Sequence, residues 1–133
     1  MTVTAWTEHE LAEVDARDEV RISSRRKDGT LTGSRIIWAV RLGDEVYVRS
    51  VNGRDSAWFR STRARHEGHL QVGRLAKDVT FVDIDVDESV ESDEIGDRID
   101  RAYASKYRNY AKNIIDHING AEARAATIRL VPR

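Results

Sequence analysis

An anion site needs fixed positive charge and hydroxyl donors, and residues 23–27 offer both: Ser23 and Ser24, then Arg25, Arg26 and Lys27. Guanidinium forks match phosphate or carboxylate oxygens in pairs, which a lysine meets only as a point charge. The competing reading is a solvated basic loop. A second basic set, Arg60, Arg63 and Arg65, shares a stretch with Trp58 and Phe59 and could track a nucleic-acid backbone. An amphipathic helix with a solvated arginine face is the commoner use of such a pattern. His66 and His69 stand close enough to be metal ligands, but Gly68 interrupts the helix that would align them. Asp83, Asp85 and Asp87 alternate as in a calcium loop, with Glu94 at the twelfth position; the sixth is Glu88, where that loop needs glycine, so a solvated strand face is favoured. No Gly-x-Ser-x-Gly elbow marks a nucleophilic serine, and no catalytic acid or base is assigned.

Composition narrows the chemistry further. The absence of cysteine excludes thiol nucleophiles, iron–sulfur clusters and Cys-ligated zinc, and suits a reducing cytoplasm. No apolar run approaches the roughly 18 residues of a membrane span, and the amino terminus lacks the basic-then-apolar plan of a signal peptide. A cytoplasmic protein with no membrane partner is expected. With 133 residues the chain is expected to form one domain, 1–133, because a core of this size buries about two-thirds of the unfolded surface. The net charge of -1 conceals a segregation: residues 17–77 hold 14 Lys or Arg against 7 Asp or Glu, whereas residues 78–100 hold one base against 10 acids. Arginine outnumbers lysine 18 to 4, which favours forked contacts. The acidic segment would repel a polyanion, so a small anionic ligand fits better than a nucleic acid.

The elements that must position these residues follow from pattern. Thr7 with Glu10 is a capping box, and Leu11 and Val14 give an apolar stripe, so a helix is predicted over 8–16. Alternation over 19–24 predicts a half-buried strand, closed by a turn at Lys27–Gly29. Residues 35–42 and 45–50 flank Gly43-Asp44 and predict a tight hairpin. Ser56 is expected to cap a helix carrying residues 57–65, with Gly68 as its stop. A second hairpin is predicted over 69–72 and 75–86. A helix over 92–107 carries Ile95, Ile99, Ala102, Tyr103 and Tyr107 at spacings of three and four, and a short helix over 110–118 stops at Asn119-Gly120. Residues 126–131 form a closing strand before Pro132. About six mainly antiparallel strands with three to four helices define an α+β barrel or sheet.

Three segments carry a resemblance: Ser24–Leu31, Ile37–Gly53 and Ala57–Ala64, joined by the carboxyl end Ala121–Arg133. Together they resemble a bacterial family known as domain of unknown function 2255. The order of segments over residues 19–85 is also similar to the split β-barrel flavin-binding proteins, in particular the deazaflavin-dependent nitroreductase group. That resemblance implies an FMN-binding-like split barrel, with FMN or a deazaflavin as cofactor and a small molecule as the compound reduced. It places Arg25, Arg26 and Lys27 at a basic phosphate turn with Gly29, Ser50 and Gly53 on the bend after the hairpin, and Trp58 at the start of a helix beside the cofactor. Trp38 and Trp58 would then wall a planar ring. The sequence departs from the pattern at Asp28, where the relatives carry a small hydroxyl residue, and at Arg60-Ser61, where they carry His-Asn. A homodimer with its pocket at the subunit interface is also implied. The alternative is a non-catalytic homodimeric binding module that kept the barrel and lost the cofactor.

Overall fold

The computed structural model describes residues 5–84 and 90–133. Thr7 opens helix α1 (Glu8–Ala16) through a reciprocal box, its Oγ1 accepting from Glu10 N at 3.1 Å and Glu10 Oε1 accepting from Thr7 N at 2.8 Å. Two N–H groups that a helix start leaves unpartnered are thereby satisfied. The chain continues through β1 (Val20–Ser24), β2 (Arg35–Ile37), β3 (Ala39–Leu42), β4 (Glu45–Arg49), α2 (Ala57–Ser61), β5 (Glu67–Val72) and β6 (Leu75–Ile84). It ends with α3 (Val90–Lys106), α4 (Lys112–Ile118), the single-turn α5 (Ala121–Ala125) and β7 (Thr127–Pro132).

Every strand pairing is antiparallel, in the order β2-β1-β5-β6-β7-β4-β3. The two outer strands of that order, β2 and β3, are separated in sequence by Trp38 alone. The sheet therefore rolls until its two ends are one bent strand, giving the α+β split barrel that the resemblance implies. At the bend the backbone loses ladder partners, and α3 with Tyr107, the residue that follows it, supplies replacements. Tyr103 Oη donates to Trp38 O at 3.1 Å, and Lys106 Nζ donates to Ala39 O at 2.6 Å and Val14 O at 2.8 Å. Tyr107 Oη accepts from Ala39 N at 3.2 Å and donates to Asp18 O at 2.6 Å. Each such group left unpaired in the interior would cost about 1–3 kcal/mol.

Strand β4 separates two cores. Val46 and Val48 face the barrel interior with Val20, Ile22, Leu70, Val72, Val79, Phe81, Ile128 and Leu130, while Tyr47 faces outward to Ile99, Tyr103, Tyr107 and Ile118 of α3, α4 and the loop between them. Helix α1 closes one end of the barrel with Leu11 and Val14; α2 inserts Phe59 at the other, where Ser61 Oγ lies 2.9 Å from Ser24 Oγ.

Three local expectations are corrected. Helix α2 ends at Ser61, so Arg63 and Arg65 are not on it, and the chain turns through His66 at φ 55. Gly68 is not a helix stop but a residue of β5, required because a Cβ there would lie 2.2 Å from Ser23 O and 2.4 Å from Phe81 Cζ. Pro132 ends β7 rather than following it. The expected strand residues 85–86 and most of the calcium-like run after Asp83 lie outside the described residues. No helix among the described residues is long and apolar enough to cross a membrane.

Candidate functional site

The bent strand that closes the barrel also builds its clefts. Trp38, at the bend, stacks on Tyr107 with ring centroids 3.8 Å apart and planes within 2°, and tilts against Tyr110 at 4.7 Å. Tyr103 continues the stack 6.0 Å from Tyr107. The indole is thus fixed by packing on one side, while it also lines a cleft of about 320 Å³ bounded by Ile36, Ile37, Arg49, Val51, Trp58 and Ile118. Glu19, Arg35 and Ile114 complete that lining. Cofactor pockets are mostly apolar and aromatic with a few placed polar groups, and the lining has that character.

A second recess of about 300 Å³ opens between β2 and α2, lined by Ile22, Ser24, Thr32, Gly33, Ser34, Arg35, Ala57, Trp58 and Ser61. Arg35 and Trp58 belong to both cavities, so the two adjoin at these residues. The character changes across that partition: indoles and isoleucines on one side, hydroxyls on the other.

The residues singled out by sequence divide accordingly. Trp58 lines both cavities, and Trp38 joins it in the first. Ser50 and Gly53 lie behind the wall they shape: Ser50 Oγ is 2.7 Å from Ser56 Oγ, Ser50 N donates to Ala126 O at 3.1 Å, and Gly53 turns at φ 84 with its N–H on Ser50 O. That bend carries Val51 to the cleft and starts α2; Ser56, its hydroxyl engaged with Ser50, gives the helix no side-chain cap. Arg25, Arg26 and Lys27 line neither cavity. Arg25 Nη1 donates to Gly29 O at 2.8 Å, with Nη2 3.6 Å from Asp78, and Arg26 Nη1 donates to Leu31 O at 2.9 Å. Asp28, in the same turn, accepts from the Thr30 hydroxyl and N–H, bonds that hold its carboxyl below the usual range and keep it charged.

Arg49 is the residue that sequence reasoning missed. It is buried and lines the aromatic cleft; Nε donates to Thr127 Oγ1 at 3.1 Å, Nη1 meets Asp100 Oδ1 at 2.5 Å and Asn119 Oδ1 at 3.2 Å, and Nη2 donates to Gly96 O at 3.1 Å. Burial lowers its pKa against the opposing pull of Asp100. Asp100 is shared with Arg124, also at 2.5 Å. These partners lie far away in sequence, so the only signal was an arginine closing a strand otherwise buried on both faces. The expected basic helix face is likewise dispersed. Arg63 pairs with Asp83 at 2.7 Å, beside Arg54 at 2.8 Å, and both guanidiniums cover the Phe59 ring.

A bent strand closing an antiparallel sheet, here with an aromatic cleft at the bend, defines a split β-barrel. Residues 10–130 match the family described as uncharacterized protein conserved in bacteria (DUF2255), and the chain belongs to that family. No curated protein matches it in sequence. Among solved structures it is similar to the heme storage protein HutZ of Vibrio cholerae, at 11% identity over 95% of this chain and 89% of that one, with a TM-score of 0.64. It is also similar to a FAD-binding protein of Mesorhizobium loti, at 16% identity over 100% and 94% of the two chains, with a TM-score of 0.58. An F420-H2 dependent reductase is similar at 15% identity over 86% and 94%, with a TM-score of 0.56. At these identities the likeness establishes the fold.

Proposed function

We propose that the chain binds a planar, anionic cofactor of the flavin or deazaflavin type and uses it, in the cytoplasm, to reduce a small molecule. The observation that carries this reading is the convergence of Trp38 and Trp58 on one cleft, with Ile36, Ile37, Val51 and Ile118 around them and Arg35 at its edge. A ring that is flat and apolar but bears a charged tail needs that combination. Bound there, the cofactor would supply hydride chemistry. The chain's own part is to hold and shield the ring: Tyr107 fixes the Trp38 plane from behind, the Ser50–Gly53 bend holds Val51 at the wall, and the Asp100 and Thr127 bonds lock Arg49. That the fold is shared with proteins whose names specify FAD, F420 or heme adds support.

The same face favours a homodimer. Ile36, Val51 and Ile114 line the cleft yet are exposed, and Tyr110 beside Trp38 is exposed too, so a second copy would cover them and narrow the opening. Calorimetric titration with FMN and with the deazaflavin cofactor tests the binding reading. We expect saturable binding of at least one, weakened by about tenfold or more, roughly 1.4 kcal/mol, in Trp58→Ala. No saturable binding of either sinks the cofactor reading. Light scattering of the purified chain tests the dimer, and a monomer at every concentration rules it out.

A further inference from the structure

We infer that the hydroxyl-lined recess between β2 and α2 is an anion subsite, and that Arg35 with Ser34 and Ser24, not the Arg25–Lys27 turn, receives the phosphate ester of the ligand. The inference rests on the reading of the neighbouring cleft as a ring site. Three observations lead to it. First, connectivity: Arg35 and Trp58 are the two residues common to both linings, so a ligand with its ring in one cavity and its tail in the other lies against both side chains.

Second, availability: among the described residues the Arg35 side chain has no hydrogen-bond or ion-pair partner, whereas Arg25 and Arg26 donate back into their own turn. Ser34 Oγ receives one long bond, 3.4 Å from Arg21 Nη1, and keeps its proton to donate. In the same lining Ser61 Oγ donates its proton to Trp58 O at 2.6 Å and lies 2.9 Å from Ser24 Oγ, whose own proton is left to donate.

Third, charge: the recess lining contains one cation and no acid, while the turn carries Asp28, held as a carboxylate by Thr30. A carboxylate beside three cations cancels part of the attraction a phosphate would feel; a lone arginine amid hydroxyls does not. Arg35 is exposed, so its contribution is screened by salt, and a gain of about tenfold in affinity is the scale to expect. The recess, at about 300 Å³, has room for a phosphate and part of a polyol chain.

The test compares FMN with riboflavin, which differ only by the phosphate, on four chains: the unaltered protein, Arg35→Gln, Gly33→Asp, and Arg25→Ala/Arg26→Ala. Arg35 is exposed on a strand, and a Cβ at Gly33 meets nothing within 4 Å, so neither substitution threatens the fold. We expect FMN to bind about tenfold tighter than riboflavin in the unaltered protein and in the double variant. The advantage should fall to near parity in Arg35→Gln and in Gly33→Asp, which sets a carboxylate in the recess. An advantage that survives Arg35→Gln, or that vanishes in the double variant, overturns the assignment. If neither flavin binds, the ring reading fails, and the subsite is read separately by titrating 15N-labelled protein with inorganic phosphate. Amide shifts at residues 32–35 and 61 that disappear in Arg35→Gln uphold it; shifts at 25–29, or none, overturn it.

Discussion

The barrel interior and the layer outside β4 are both buried, yet they are built on different terms. Inside, Val46, Val48, Leu70, Val72, Ile128 and Leu130 form an aliphatic core in which shape decides everything. Outside, Tyr103, Tyr107, Lys106 and Arg49 bury polar atoms and give each a partner, so hydrogen bonding decides. The inner core specifies the roll of the sheet. The outer layer mends the bend at Trp38 and leaves one indole turned to a cleft. The candidate site therefore belongs to the layer whose burial is least apparent from hydropathy.

That contrast can be broken from the inner side first. Gly68→Val places a side chain where backbone and the Phe81 ring already stand within 2.4 Å. We expect a loss of about 3 kcal/mol or more, read as a collapse of the thermal midpoint in circular dichroism. A well-folded Gly68→Val would mean that the interior is not close-packed there.

On the outer side, Arg49→Met removes every donor to Thr127, Gly96 and Asp100 but keeps the volume, and Arg124 remains to neutralise Asp100. A loss of about 2–3 kcal/mol follows, equivalent to roughly 4 °C in midpoint for each kcal/mol. No loss would show that the polar network contributes nothing to the layer.

The smallest effect concerns Lys106 and appears as a slope. Burial outweighs the attraction of Asp15 and Asp18 and pushes its pKa down from 10.5 to about 8. The unfolded chain thus keeps a proton that the folded chain sheds. Stability is therefore greatest above the unfolded value and is lost as pH falls through about 8. Denaturant midpoints should rise between pH 8 and pH 10, the range below the ordinary tyrosine value, by no more than about 1.4 kcal/mol per pH unit. Lys106→Met should flatten that slope; an unchanged slope would assign it to another group.

Sequence patterns of short range carried most of the fold. The capping box at Thr7 and Glu10, the Gly43 hairpin and the three-and-four spacing of α3 each depend on neighbours within a few residues, and each is realised. Gly68 resembles a helix stop because it is a glycine after a polar run; its real constraint is the Ser23 carbonyl and the Phe81 ring, on the two strands that flank β5. Trp38 is legible as a strand residue but not as a bend, since the bend exists only because β2 and β3, on either side of it, sit at opposite ends of the sheet order. Charge was the least legible property. Arg25, Arg26 and Lys27 drew attention by adjacency, but two of them fold back on their own turn, whereas Arg35 and Arg49 are single arginines made distinctive by where the chain takes them.

The three tryptophans provide the most direct test of the central claim, because they sample both regions. Trp6 is buried in the barrel with its indole N–H on Leu130 O at 2.9 Å, while Trp38 and Trp58 line the cleft. Protein labelled with 5-fluorotryptophan should show three 19F resonances. Titration with FMN or the deazaflavin is expected to shift Trp38 and Trp58 together and saturably while Trp6 stays in place. Shifts that spare both cleft tryptophans, or that move Trp6 first, would contradict a ring site at the bend of the barrel.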